Sequence, residues 1–270
     1  MKTCNYLFVL ACVAWAVCST ASANIVLSHE ALDTDTYIDN RNSTTNYGTS
    51  GSYKMFVNAA GTGGAADGDP TRGLFMLPAS VWTALNALPQ DPSGNINPSL
   101  INTATVTFYK RPDVNPANSG WTIYLCPFKT TWSETSATWS NNGDNSYVDT
   151  AHHVAMTTGS NADYQTWYTW DISSLLANGA SRNELHSYGA VLTLTTLDGN
   201  NLPTIPETVT NLQRGVNMAS SDWVNNPSTL DFRPFVALNV VPEPASLLLL
   251  AMALPVAIGL YGIRYCQRKN

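Results

Sequence analysis

The chain has 270 residues, with 13 Lys and Arg against 19 Asp and Glu, a formal net charge of -6 and a charged fraction of only 12%. That acidic balance argues against nucleic acid as a partner, because phosphates demand a basic face; neutral glycans and calcium stay open. Of the 5 cysteines, Cys4, Cys12, Cys18 and Cys266 lie near the ends, so Cys126 stands alone in the body and is expected as a buried small hydrophobe rather than a disulfide partner.

The first segment reads as an export signal. Lys2 supplies a positive charge, Tyr6 to Val17 an apolar stretch and Ala21-Ser22-Ala23 a cleavage site for signal peptidase. Residues 1–23 are thus expected to be a signal peptide and the mature chain to begin near Asn24. Val9-Leu10-Ala11-Cys12 offers a lipoprotein-type alternative. It leaves too short an apolar stretch to insert, and Cys18 follows Val17 where a small residue is wanted.

The body, 24–241, is rich in Asn, Thr, Ser and Gly, and its apolar residues alternate in short runs between turn residues. That pattern predicts one all-β sandwich or barrel, with no internal repeat and no domain boundary. Strands are expected at Ile25–Leu27, Asp35–Asp39, Tyr53–Val57 and Thr71–Leu77, then a helical turn or two at Val81–Ala87. Further strands are expected at Thr103–Lys110, Trp121–Phe128, Ala137–Trp139, Tyr164–Ile172, Tyr188–Thr195 and Arg233–Val241. Ser173–Asn178 reads as a short turn or helix closed by Gly179. Along Tyr164–Ile172 the alternation puts Tyr168, Trp170 and Ile172 on one face and Gln165, Trp167, Thr169 and Asp171 on the other.

At the far end, Leu247 to Ile263 carries no charge and Arg264, Arg268 and Lys269 follow it. The run sits at the short end of the roughly 17–25 apolar residues that a bilayer-spanning helix needs, and the basic tip predicts a cytoplasmic end. With both ends set aside, the body holds 9 basic and 18 acidic residues, a net charge of -9.

Two resemblances follow from these pieces. Pro242-Glu243-Pro244, an apolar helix and a basic tip, in that order over residues 242–270, resemble the PEP-CTERM sorting signal of bacterial envelope proteins. This implies transient membrane anchoring and recognition by an exosortase, a membrane-embedded cysteine transpeptidase that cuts near the motif. The plainer alternative is an ordinary anchor with a stiff Pro-x-Pro spacer. The body is similar to DNRLRE-type domains in Asp35-Thr36-Tyr37-Ile38-Asp39, Asn46-Tyr47-Gly48, Arg72-Gly73-Leu74-Phe75-Met76 and Ile101 to Val106. The similarity continues through Trp132-Ser133-Glu134, Thr138-Trp139-Ser140-Asn141, Asp171-Ile172-Ser173 and Arg233-Pro234-Phe235. The eponymous string itself is absent near Arg72, and 78–100 is longer than the pattern expects. The resemblance implies a jelly-roll-like antiparallel β-sandwich, often an accessory module on secreted bacterial proteins, some of which bind polysaccharide.

Trp132 and Trp139 could form a sugar platform, but the family pattern favours core or turn anchors, and Trp170 shares the apolar face. Trp121, Trp167 and Trp223 are the candidate ligand-facing aromatics, against the reading that loops cover them. Calcium is the one candidate cofactor, at Asp33, Asp35, Asp67 and Asp69, which also read as solvated loop acids. His152 and His153 are adjacent on a predicted extended segment and point apart, which argues against a shared zinc. Arg72 and Arg233 suit structural pairing with buried carboxylates. No catalytic set emerges: Glu134 is the only acid inside a strong motif, and neither a Gly-x-Ser-x-Gly nor a His-Glu-x-x-His string occurs. The expectation is an exported, non-catalytic envelope or matrix protein associating with extracellular polysaccharide. The alternatives are a purely structural surface or biofilm protein and a polysaccharide-active enzyme.

Overall fold

A computed structural model describes residues 24–32, 34–48, 54–57, 60–61, 70–110, 122–157, 166–205, 207–209, 216–221 and 232–241. The expected signal peptide, the Pro242-Glu243-Pro244 motif and the apolar tail lie outside the described residues, as do Asp33, Asp67, Asp69, Trp121 and Trp223. Among the described residues no helix is long and apolar enough to cross a membrane.

In chain order the elements are β1 (Ile25–Ala31), β2 (Asp35–Asp39), β3 (Lys54–Val57), β4 (Ala60–Gly61), β5 (Thr71–Phe75) and α1 (Ala79–Asn86). Then come β6 (Ile101–Tyr109), β7 (Thr122–Pro127), α2 (Trp139–Asn142), β8 (Val154–Thr157), β9 (Trp167–Asp171), α3 (Ser173–Ala177) and α4 (Gly179–Tyr188). β10 (Ala190–Leu194), β11 (Thr208–Val209), β12 (Val216–Ala219) and β13 (Phe235–Val240) complete them. Two antiparallel sheets form a β-sandwich-like body: four strands in the order β1-β13-β6-β9 and five in the order β2-β5-β10-β7-β8. β3 pairs with β12 and β4 with β11 as two small additions.

Strand alternation builds the main core. Ala104, Val106 and Phe108 of β6, Trp170 of β9, and Val236, Leu238 and Val240 of β13 meet Phe75, Ile123, Leu125 and Leu192 of the facing sheet. Phe108 sits edge-on to both Phe75 and Trp170, at 5.3 and 6.0 Å. Trp170 is fully buried and its Nε1 donates to the Ile123 carbonyl at 3.0 Å, so the indole joins the sheets without leaving its polar group unpaired. α1 closes one end with Val81, Ala84 and Leu85 turned inward, the helical spacing expected for that stretch.

A second, smaller core lies on the other face of the five-stranded sheet. Ile38, Leu74, Tyr124, Cys126, Phe128 and Val191 pack there under Ala137 and Val148, with Trp132, Trp139 and Tyr147 alongside. Cys126 is buried as expected, and burial pushes its thiol well above the ordinary value. Arg72 crosses this layer fully buried, donating to both carboxylate oxygens of Glu207, to Asn145 Oδ1 and to the carbonyls of Gly143 and Asp144. Its guanidinium also lies 4.8 Å from the centre of the Trp139 ring. All five of its donors are thus engaged, and Thr193 Oγ1 supplies a further bond to Glu207 at 2.8 Å. The structural pairing expected of Arg72 is met; Arg233 lies half-buried ahead of β13.

Three expectations need correction. Ala137–Trp139 is not a strand: Thr138 starts the helical turn α2, because Asn141 Oδ1 reaches back to its backbone N–H at 2.8 Å. Gly179 does not close a helix but opens α4, capped by Asn178 Oδ1, which accepts from Ser181 N at 3.1 Å. α4 escaped the periodicity test because its inward face carries Ser181 and Arg182 beside Leu185. Those polar groups are satisfied by the Leu175 and Leu176 carbonyls at 2.6 and 3.1 Å, so no apolar stripe was needed. Finally, β8 and β12 are four-residue strands that the alternation did not reveal.

Candidate functional site: an aromatic row across the four-stranded sheet

The outer face of the four-stranded sheet alternates as the sequence predicts along β9, with Tyr168 and Trp170 buried and Trp167, Thr169 and Asp171 exposed. Trp167 is 38% exposed, the largest aromatic so placed among the described residues. β6 brings Tyr109 opposite it, ring centres 5.2 Å apart and edge-on, where the tyrosine is buried and backs the exposed indole. β13 brings Phe235 to 5.5 Å from the same indole. Phe232, just before β13, stacks on Tyr109 at 4.2 Å and lies 6.3 Å from Trp167. On the far strand β1, His29 stacks on Phe235 at 3.9 Å. One ring from each strand therefore contributes to a row running across the whole sheet.

Polar groups flank the row. Thr107 and Thr169, cross-strand neighbours, share a hydroxyl hydrogen bond of 3.1 Å, and Thr105 and Asp171 face one another one step further along. Burial raises the Tyr109 hydroxyl above its ordinary value, so it stays a neutral donor near neutrality. Chemically this is an apolar platform with a hydroxyl border, an imidazole at its β1 end, and no Lys or Arg among the residues named.

No protein-family model and no curated protein matches the chain.

Sequence reasoning found Trp167 through strict alternation in β9. It missed Tyr109, Phe232, Phe235 and His29, although Tyr109 and Phe235 occupy the odd register beside the apolar Phe108 and Val236. That these rings meet is a product of strand order, which no local pattern carries.

The other residues singled out take structural positions. Trp132 Nε1 donates to the Tyr188 carbonyl at 2.8 Å and Trp139 lies under Arg72, so both are anchors. Asn46 Nδ2 donates to the Glu134 and Ala137 carbonyls, both at 2.8 Å, while Tyr47 stacks on Tyr37 at 4.1 Å. A Cβ at Gly48 would stand 2.1 Å from the Glu134 carbonyl oxygen, which explains the glycine. Asp35 is not in a loop: it is buried in β2, and its Oδ2 accepts from Ser221 N at 2.6 Å. Among the described residues no three His, Cys, Asp or Glu side chains are grouped to hold a metal. His152 and His153 bond separately, to Asp149 Oδ2 at 2.5 Å and to the Thr150 carbonyl at 3.0 Å.

Asp149 anchors a polar cluster that sequence reasoning did not foresee. Its Oδ1 lies 3.0 Å from Lys129 Nζ, and Glu184 of α4 is near enough for the two carboxylates to repel one another. Burial opposes the charge of Asp149, but the bonds from His152 and Lys129 outweigh it and hold that carboxyl below its ordinary value. Burial, and then the negative Asp149, push Glu184 up to about 7. The cluster brings α4 against the turn after β7.

Proposed function

We propose that this chain is an exported, non-catalytic envelope or matrix protein whose jelly-roll-like sandwich binds extracellular polysaccharide on the outer face of its four-stranded sheet. The observation that carries the reading is the exposed Trp167 held in a row of rings, one from every strand of that sheet. Flat aromatic faces pack against the C–H faces of sugars, and bordering hydroxyls hydrogen-bond their substituents. Rings fixed by regular strands are already ordered, so little conformational freedom is lost on binding. The flanking signals support the rest of the proposal: signal peptidase releases the chain near Asn24, and an exosortase recognises Pro242-Glu243-Pro244 while the tail helix holds the membrane.

The test is a glycan array probed with the full-length chain, covering alginate, pectin, cellulose, chitin and host-type glycans. At least one class is expected to bind, and Trp167→Ala to weaken it at least about tenfold. Binding unchanged in that variant would remove the row from the site. Absence of binding across the array would leave a structural surface role based on protein contacts. Mass spectrometry of the protein from its own envelope tests the sorting step, with loss of Leu247 to Asn270 expected.

A further inference from the structure

The exposed strip of β9 does not stop at the aromatic row. Trp167, Thr169 and Asp171 are spaced two residues apart, so the strip extends about 13 Å from the indole to the carboxylate. At Asp171 it opens into a groove of about 660 Å³ between that residue, the start of α3 and the loop 95–98. The size is ordinary for a small-molecule site. Ile96, Pro98 and Ala177 make its apolar lining, and Asp171, Ser174 and Asn178 are among its polar groups.

The groove is held open by its own bonds. Ile96 N donates to the Ala177 carbonyl and Gly179 N to Asn95 Oδ1, both at 2.8 Å. Gly179 is required there, because a Cβ would stand 2.5 Å from the Ser93 carbonyl oxygen. Arg182 braces the same loop from behind, through Gln90 Oε1 and the Gly94 carbonyl. Three lining groups keep unspent capacity. Asp171 Oδ1 accepts from Ser173 N and Asn178 Oδ1 from Ser181 N, while Asp171 Oδ2, Asn178 Nδ2 and Ser174 Oγ have no partner among the described residues.

We infer that this groove is a second subsite on the same glycan path as Trp167, and that it selects neutral, hydroxyl-rich saccharides over uronate-bearing ones. The inference rests on the polysaccharide-binding reading above. A carboxylate acceptor, an amide donor and a hydroxyl beside an apolar lining match vicinal sugar hydroxyls and a ring face. No Lys or Arg is among the lining residues, and the exposed Asp171 carboxylate repels a sugar carboxylate.

Calorimetric titration of the full-length chain with neutral hexasaccharides of glucose, mannose and xylose, and with hexauronates, tests this. Asp171→Asn and Asn178→Asp are the informative variants, because each keeps the Oδ1 that caps the local backbone and alters only the free atom. At least one neutral hexasaccharide is expected to bind, with hexauronates at least about tenfold weaker. Each groove variant should weaken the neutral ligand about tenfold at unchanged melting temperature. A wild-type preference for uronates overturns the inference. So does wild-type-like binding by both groove variants while Trp167→Ala is impaired, which leaves the aromatic row standing without the groove. If the wild type binds none of these saccharides, the inference falls, while the polysaccharide-binding reading falls only if the wider glycan array is also negative.

Discussion

On the five-stranded sheet β2, β5 and β10 are buried at every position, whereas β9 and β13 of the four-stranded sheet alternate between buried and more exposed residues. The difference lies in what covers the outer faces. Residues 131–148 lie over the five-stranded sheet and form a second core, and the one charged pair trapped there, Arg72–Glu207, has its donors fully engaged. The four-stranded sheet exposes Trp167, Thr169 and Asp171 of β9 instead, while Thr107 and Tyr109 of β6 are buried beside them. A covered face must satisfy every polar group that it hides, while an uncovered one can hold polar and aromatic groups available to a ligand.

Arg72→Met should produce the largest effect on the covered side. It leaves Glu207 buried without its counter-charge and is expected to cost about 3–5 kcal/mol, read from denaturant midpoints. Trp170→Ala belongs to the same class, about 3–5 kcal/mol, through the cavity and the lost Nε1 bond between the sheets. Its neighbour on the open side sharpens the contrast: Trp167→Ala should stay within about 1 kcal/mol of wild type in the same measurement while losing glycan. A large loss of stability from Trp167→Ala would break the distinction between the two faces.

Gly48→Ala comes next, at about 1–3 kcal/mol, because the new Cβ must displace the backbone at Glu134. On the covered side the smallest effect is a pH dependence from the Asp149–Glu184 pair. Glu184 ionises near 4.5 when unfolded but is held protonated up to about 7 in the fold. The stability carried by its protonated form is therefore complete below 4.5 and is lost as pH rises through 7. Asp149, held low, works in the opposite sense: its contribution is present above the ordinary carboxylate value and is lost in acid. Glu184→Gln keeps a donor toward Asp149 at every pH, so its melting temperature should gain on wild type between about pH 5 and 8. After allowance for solvent screening the difference is on the order of 1–2 kcal/mol. Parallel curves for the two proteins would show that the pair shares no proton.

Strand alternation was legible in the chain because a pleated strand repeats every two residues. It located β6, β9 and β13, assigned Trp170 inward and Trp167 outward, and marked Cys126 as core. α4 was illegible for an equally local reason, since its inward face is polar and is satisfied by backbone carbonyls two turns of chain away rather than by an apolar stripe. The contacts of Arg72 with Glu207, of Asn46 with Glu134, and of Tyr109 with Trp167 and Phe235 join residues remote in sequence. Sequence by itself determined which way each side chain of a strand faces. Only the tertiary structure decided which strands are neighbours, and hence which rings share the open face and which charges are buried together, because strand pairing is set by the packing of the whole sandwich.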